Sequence, residues 1–270
     1  MAYDDVVSYY QAYPEDLRLL AGAGRLEFER TRDILKRCLP PAPAMVLDVG
    51  GGPGAYSCWL AAEGYQVHLL DPVPGHIQQA RLASARQPSH PIAAFHLGDA
   101  RALPHAAGSA DAALLMGPMY HLTESDDRAR ALGEARRVLR DGGVLAAAGI
   151  CRFASLLDGL ARGLIDDPRF PPIVRRDLAC GQHRNPTENP EFFTSAFFHR
   201  PEELAAEVQG AGFRSVRVVA VEGPGWFAAD LEARLRDAAR REQLLGLLRD
   251  VESDPALLGA SPHLLVTAVR

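Results

Sequence analysis

Cysteine is scarce in this chain. Cys38, Cys58, Cys151 and Cys180 are the only four in 270 residues, and no two stand at CxxC spacing. The thiolate zinc frameworks and redox pairs are thereby removed, so no metal site is expected and the thiols are read as reduced, in a cytoplasmic protein. Positive charge is not in excess either. With 29 Lys+Arg against 34 Asp+Glu the formal charge is -5, the wrong sign for a general nucleic-acid or anionic-membrane surface. Lysine itself is almost missing, Lys36 being the one instance. No apolar run approaches the ~20 residues that span a bilayer. The opening Met1-Ala2-Tyr3-Asp4-Asp5 is acidic with no apolar stretch behind it, unlike a signal peptide.

What is present is enough apolar sequence, 47% of the chain, to bury a sizeable core. The length suits one large domain, or one with a modest insertion. Short apolar runs alternate with helical patterns. Residues 44–49, 66–70, 92–97, 110–116 and 144–150 read as strands, and 75–86 and 124–139 as helices between them. That alternation predicts a doubly wound α/β fold with a mostly parallel sheet. Four segments follow: a helical cap over 1–40, the regular core over 41–150, an irregular insertion over 151–199, and the rest of the core over 200–270. In this last part 216–221 and 263–269 read as strands and 230–251 as one charged helix. The insertion holds six of the ten phenylalanines, Phe153, Phe170, Phe192, Phe193, Phe197 and Phe198. Four of the seven tyrosines, Tyr3, Tyr9, Tyr10 and Tyr13, crowd the N-terminus, where Tyr3, Val6, Val7 and Tyr10 share one helical face. That face either packs on the core or closes over a ligand.

The segment carrying chemistry is Val46-Leu47-Asp48-Val49-Gly50-Gly51-Gly52-Pro53-Gly54, between a buried strand and a helix. Glycines let the chain turn sharply and let a ligand press on main-chain atoms, while the helix start offers free N–H groups. Gly50-x-Gly52-x-x-Ala55 also fits a loose dinucleotide fingerprint, with Asp71 about where its ribose acid belongs. Asp48 argues the other way. A carboxylate two residues before the first glycine would repel a pyrophosphate, but suits the cationic amino end of S-adenosylmethionine.

At these residues the chain resembles the class I (Rossmann-like) methyltransferases. Asp48 to Gly54 matches that family's first motif, and Asp71-Pro72, at the end of the second strand, its ribose-binding acid. Gly98-Asp99-Ala100 matches the adenine-side motif, and 135–145 the helix-turn before the fifth strand. The resemblance implies a seven-stranded sheet with the last strand antiparallel, S-adenosylmethionine as cofactor, and methyl transfer to oxygen, nitrogen or carbon of a small molecule. It implies Asp48, Gly50, Gly51, Gly52, Gly54, Asp71, Pro72, Asp99, Ala100 and Met116 as cofactor contacts. An N-terminal helix closing over the cofactor would add Tyr13, Arg18 or Arg25, although Arg25 is also spaced to pair with Glu29.

On the acceptor side, Tyr120 and His121 of Gly117-Pro118-Met119-Tyr120-His121 stand just past the fourth strand, where the related enzymes react. Histidine is the usual base near neutral pH. His183 is a further catalytic candidate in the polar run 182–189, and Arg184, Phe197, His199 and Trp226 are candidate substrate contacts. A lid, a pocket wall and plain packing are all open for the insertion; Arg184 is also spaced to pair with Glu188. A nicotinamide-dependent oxidoreductase and a non-catalytic cofactor-binding protein are the competing readings. Nucleic-acid amino methylation is disfavoured, since Gly117-Pro118-Met119-Tyr120 stands where Asn-Pro-Pro-Tyr would be needed. No membrane or nucleic-acid partner is expected, and the chain is read as monomer or homodimer.

Overall fold

Runs of Val, Leu and Ala with no polar alternation can only be satisfied when a strand is covered on both faces. The computed structural model, which describes residues 9–10, 18–19, 21–187 and 189–270, shows this in β1 (Met45–Val49), buried from its second residue onward. β1 lies between β2 (Gln66–Asp71) and β4 (Ala110–Leu115), with β3 (Ala94–Leu97) outside β2 and β5 (Leu139–Cys151) outside β4, all parallel. Beyond β5 come β9 (His263–Val269), antiparallel to it, and β8 (Arg214–Ala220), antiparallel to β9. The principal sheet is thus β3-β2-β1-β4-β5-β9-β8, with β9 alone reversed.

Helices cover both faces. On one, α1 (Gly22–Cys38), α2 (Ala55–Ala62) and α3 (Pro74–Ala85) set Leu35, Leu60 and Ala80 against Val46, Leu69 and Leu114. On the other, a short α4 (Pro118–His121) is followed by α5 (Ser125–Val138). That helix and α8 (Pro201–Gly210) set Leu132, Ala135, Leu204 and Val208 against Leu47, Ala113 and Leu145.

Between β5 and α8 the insertion builds α6 (Ala154–Arg162), α7 (Phe170–Cys180), β6 (Gln182–His183) and β7 (Ala196–His199). It adds strands that the sequence reading does not contain. β4 accompanies β5 only as far as Ala147, which leaves that edge of β5 open. β7 takes it in parallel at Ile150↔Phe198 and Cys151↔His199, and β6 pairs back on β7. Unpaired strand edges are costly when buried, and this pairing satisfies one. Phe170 and Phe192 form the insertion's own core with Ile173 and Val174.

The segment predicted as one helix over 230–251 is two, α9 (Leu231–Arg236) and α10 (Ala238–Val251), followed by a short α11 (Pro255–Leu258). Asp237 breaks it: its backbone is extended and its carboxylate accepts the Arg240 N–H 2.9 Å away, capping α10. α1 is fastened by the fully buried Arg30, which donates to the Val221 carbonyl at 3.0 Å and to Glu252 at 2.7 Å. Among the described residues no helix is long and apolar enough to cross a membrane.

Candidate active site

β1 ends against a turn that only glycine can make. Gly50, Gly52 and Gly54 all have left-handed backbone, at φ 76°, 54° and 89°. At Gly50 space adds a second constraint, because a Cβ there would stand 2.8 Å from Cδ of Pro118. Asp71, at the tip of β2, ties the turn down. One carboxylate oxygen accepts the Gly52 N–H at 2.8 Å; the other accepts the Val73 N–H at 2.9 Å and faces Nδ1 of His76 at 3.0 Å. The Nε2 of His76 is buried and has no hydrogen-bond partner among the described residues.

Asp48 lies beneath this turn. It is fully buried, and the Ser57 hydroxyl donates to it at 2.6 Å. Burial pushes its pKa up to about 6, against the Ser57 hydrogen bond that favours the carboxylate. Its other carboxylate oxygen has no partner among the described residues.

The turn forms one wall of a cavity of about 440 Å³, within the range of small-molecule sites. Gly50, Gly51, Gly52, Gly54, Asp71, Pro72, His76, Ala100 and Met116 line it on the β-strand side, and Tyr120 and His121 continue it past β4. Tyr10 and Arg18 close it from the N-terminal segment. Asp48 is not part of the lining.

Past β4, the Tyr120 hydroxyl donates to the Met116 carbonyl at 2.5 Å. The Tyr10 hydroxyl lies within hydrogen-bond distance of Nε2 of His121, and its ring stands edge-on to both His121 and His76, each centroid 5.3 Å away. Burial drives the His121 pKa down to about 4, outweighing the Ser195 backbone and the Asp71 carboxylate, which both favour the charged ring. His121 is therefore a neutral imidazole near pH 7. Arg18 pairs with Glu27, and Glu27 also faces His263, 3.7 Å away.

Other residues singled out from the sequence lie elsewhere. His183 is buried with both ring nitrogens engaged, Nδ1 by Asp177 at 2.8 Å and Nε2 by the Phe192 carbonyl at 2.8 Å, and its ring stacks on Phe198. It pins the insertion together and has no free nitrogen for a substrate. Arg184 donates to the carbonyl of His183, and its suggested partner Glu188 lies outside the described residues. Phe197 sits under the Arg128 guanidinium at 3.9 Å, and His199 is fully buried facing Glu207. Trp226 donates to the Ala260 carbonyl at 2.9 Å and packs beside Leu26 and Leu231. Arg25 turns to Glu232 and the Leu235 carbonyl, not to Glu29. The carboxylate of Asp99 is taken by Arg101 at 2.6 Å, leaving Ala100 beside it on the cavity wall. Tyr13 lies outside the described residues.

His76 is one of the lining residues that sequence reasoning missed. Its signal was available: a histidine in the first turn of the helix that follows Asp71-Pro72. Phe193 is the one insertion phenylalanine that nears the cavity, 6.0 Å from the His121 ring and 5.8 Å from Tyr9.

Residues 47–147 match the family model described as a methyltransferase domain. An uncharacterised methyltransferase of Mycobacterium tuberculosis is 33% identical over 135 residues, 48% of this chain and 51% of that one, so the chain spans about half the length of that curated relative. The malonyl-[acyl-carrier protein] O-methyltransferase of Geobacter sulfurreducens is 32% identical over 200 residues, covering 73% of this chain and 66% of its own. A solved S-adenosylmethionine-dependent methyltransferase from Methanosarcina mazei superposes with a TM-score of 0.58 at 21% identity, covering 88% and 96% of the two chains; at that identity it speaks for the fold. The dinucleotide-binding order of six parallel strands has no counterpart to the reversed β9. With that strand inside an otherwise parallel principal sheet and a methyltransferase domain over residues 47–147, the chain belongs to the class I (Rossmann-like) S-adenosylmethionine-dependent methyltransferase family.

Proposed function

We propose that this protein transfers a methyl group from S-adenosylmethionine to a small-molecule acceptor. One observation carries the reading: a single cavity has the Asp71-tied glycine turn on one wall and a neutral His121, facing the Tyr10 hydroxyl, on another. The residues fit the cofactor. Asp71 has spent three of its roughly four acceptor positions on Gly52, Val73 and His76 and keeps one for a ribose hydroxyl. The orphaned His76 Nε2 offers a further polar contact on the same wall. Asp48, one layer below, supplies negative potential under the turn without touching the cavity, favouring the cationic amino end. Ala100, Met116 and Pro72 give apolar flanks for the base.

When bound, S-adenosylmethionine supplies a methyl group on a positive sulfur, an electrophile that needs an aligned nucleophile and exclusion of water. The chain's own part is to position the acceptor and hold its proton. Tyr10 and His121 face each other where an acceptor hydroxyl or amine would enter. The uncharged imidazole takes a proton at Nε2, directly or by way of the Tyr10 oxygen. The Geobacter relative, named for O-methylation of a carrier-bound malonyl group, supports an acyl or similarly small acceptor. The net charge of -5 disfavours nucleic acid. We read the protein as a cytoplasmic monomer or homodimer, with Tyr10, Arg18 and Phe193 framing the acceptor side.

Calorimetric titration with S-adenosylhomocysteine tests this. Saturable one-site binding is expected. Absence of heat at millimolar ligand, or a thermal shift with NADH and none with S-adenosylmethionine, removes the proposal.

A further inference from the structure

Away from the cavity, the topology brings together three of the nine histidines. His68 is in the middle of β2, His96 on β3, and His105 in the turn that leads toward β4. One nitrogen from each lies within 4.8 Å of the others. His68 Nδ1 and His105 Nε2 are 3.3 Å apart, and the His96 and His105 rings approach to 4.9 Å between centroids. The set holds no carboxylate. His96 Nε2 and His105 Nδ1 are buried without a hydrogen-bond partner among the described residues.

We infer that His68, His96 and His105 form a binding site for a divalent transition metal, zinc first, with water in the fourth position. The spacing is the argument. At a metal–nitrogen distance of about 2.0–2.1 Å, two ligands at the tetrahedral angle stand about 3.4 Å apart. The His68–His105 pair already has that separation, and His96 closes the triangle with a small swing of its ring. Two imidazole nitrogens facing each other can share one proton at most, so a third ring leaves lone pairs that only a cation uses well. Three neutral imidazoles with no carboxylate suit zinc, copper, nickel or cobalt, and not calcium or magnesium.

The nearby Arg137 charge is offset by Glu134, 2.6 Å away, while the guanidinium donates to the carbonyls of His105 and Leu103. His96 and His105 bracket the Gly98-Asp99-Ala100 turn, whose Ala100 lines the cavity, and His68 lies three residues before Asp71 on the same strand. The ion would brace that turn against the β2–β3 edge.

The untagged, chelator-treated chain is titrated with zinc chloride by calorimetry, and with cobalt chloride by visible absorption. The expected result is one metal per chain at micromolar affinity or tighter, a four-coordinate cobalt spectrum, and a melting temperature raised by several degrees. His96→Ala and His105→Ala should each weaken binding at least tenfold with unchanged far-ultraviolet circular dichroism. Glu27, Glu222 and His263 are a second group of close ligand atoms, so His263→Gln serves as the control and should leave binding intact. No saturable binding by the unmodified chain overturns the proposal, as does binding that survives His105→Ala or disappears with His263→Gln.

Discussion

The Tyr10 hydroxyl stands 2.9 Å from Nε2 of His121, joining the N-terminal segment to the turn after β4 across the cavity. If this pair handles the acceptor's proton, Tyr10→Phe and His121→Asn should lower turnover about 10²–10³-fold while changing S-adenosylhomocysteine affinity little. The pH profile carries a sign. The neutral imidazole is the working form and its pKa is about 4, so on its account activity is flat from neutrality down to about pH 5 and falls below. Steady-state rates of the parent and the His121→Asn variant across that range check this.

In the proposed cofactor site Asp71 acts twice over, through its one remaining acceptor position and through the turn it holds. An asparagine keeps the size but aims an N–H₂ at the Gly52 or Val73 N–H. Asp71→Asn should weaken S-adenosylhomocysteine binding about 100-fold, the scale of two charge-assisted hydrogen bonds at 1.5–3 kcal/mol each with partial compensation. Calorimetry measures it; an unchanged affinity would remove Asp71 from the site.

His183→Ala separates structure from catalysis. Both nitrogens of His183 are engaged inside the insertion, so its loss strands Asp177 in a buried site. Unfolding stability should fall by about 2–4 kcal/mol in denaturant melts. The KM for S-adenosylmethionine should stay within about twofold wherever the variant is folded, because no His183 atom borders the cavity.

The sequence declared its strands where burial on both faces leaves uninterrupted apolar runs, as at 45–49 and 110–115, and declared the cofactor turn where three glycines are forced into left-handed backbone. It was silent where structure depends on partners far along the chain. β6 has two residues, too few for any period to register, and β7 exists because β5 outruns β4. Side-chain direction was equally hidden. Asp48 occupies its expected position, yet its carboxylate points down to Ser57 and away from the cavity. The polar run at 182–189 looked like a binding loop because a histidine satisfied by Asp177 and one awaiting a substrate are the same letter. Trp226 and His199 stayed open between pocket wall and plain packing, because no sequence pattern points to their partners, the Ala260 carbonyl and Glu207.

His263 supplies a pH dependence of stability. Burial disfavours its charge, but Glu27 and Glu222 prevail and raise its pKa from 6.5 to about 9, with Glu222 hydrogen-bonded at 2.5 Å. A raised value means the folded chain holds this proton more tightly. The stabilisation is complete below about pH 6.5 and is lost as pH rises through 9. It amounts to about 2–3 kcal/mol. Chemical denaturation of parent and His263→Gln should differ most at pH 6 and converge toward pH 10.

β9 enters the sheet between two strands made earlier, and β8 touches the principal sheet only through it. Until residues 263–269 have been synthesised, β5 keeps a bare row of main-chain donors and acceptors and β8 has nowhere to dock. Closure is consequently one late, long-range event. The nascent chain passes through a stage with its first five strands shaped and its centre unsealed, when it is most open to sticking to another copy of itself and most in need of a chaperone.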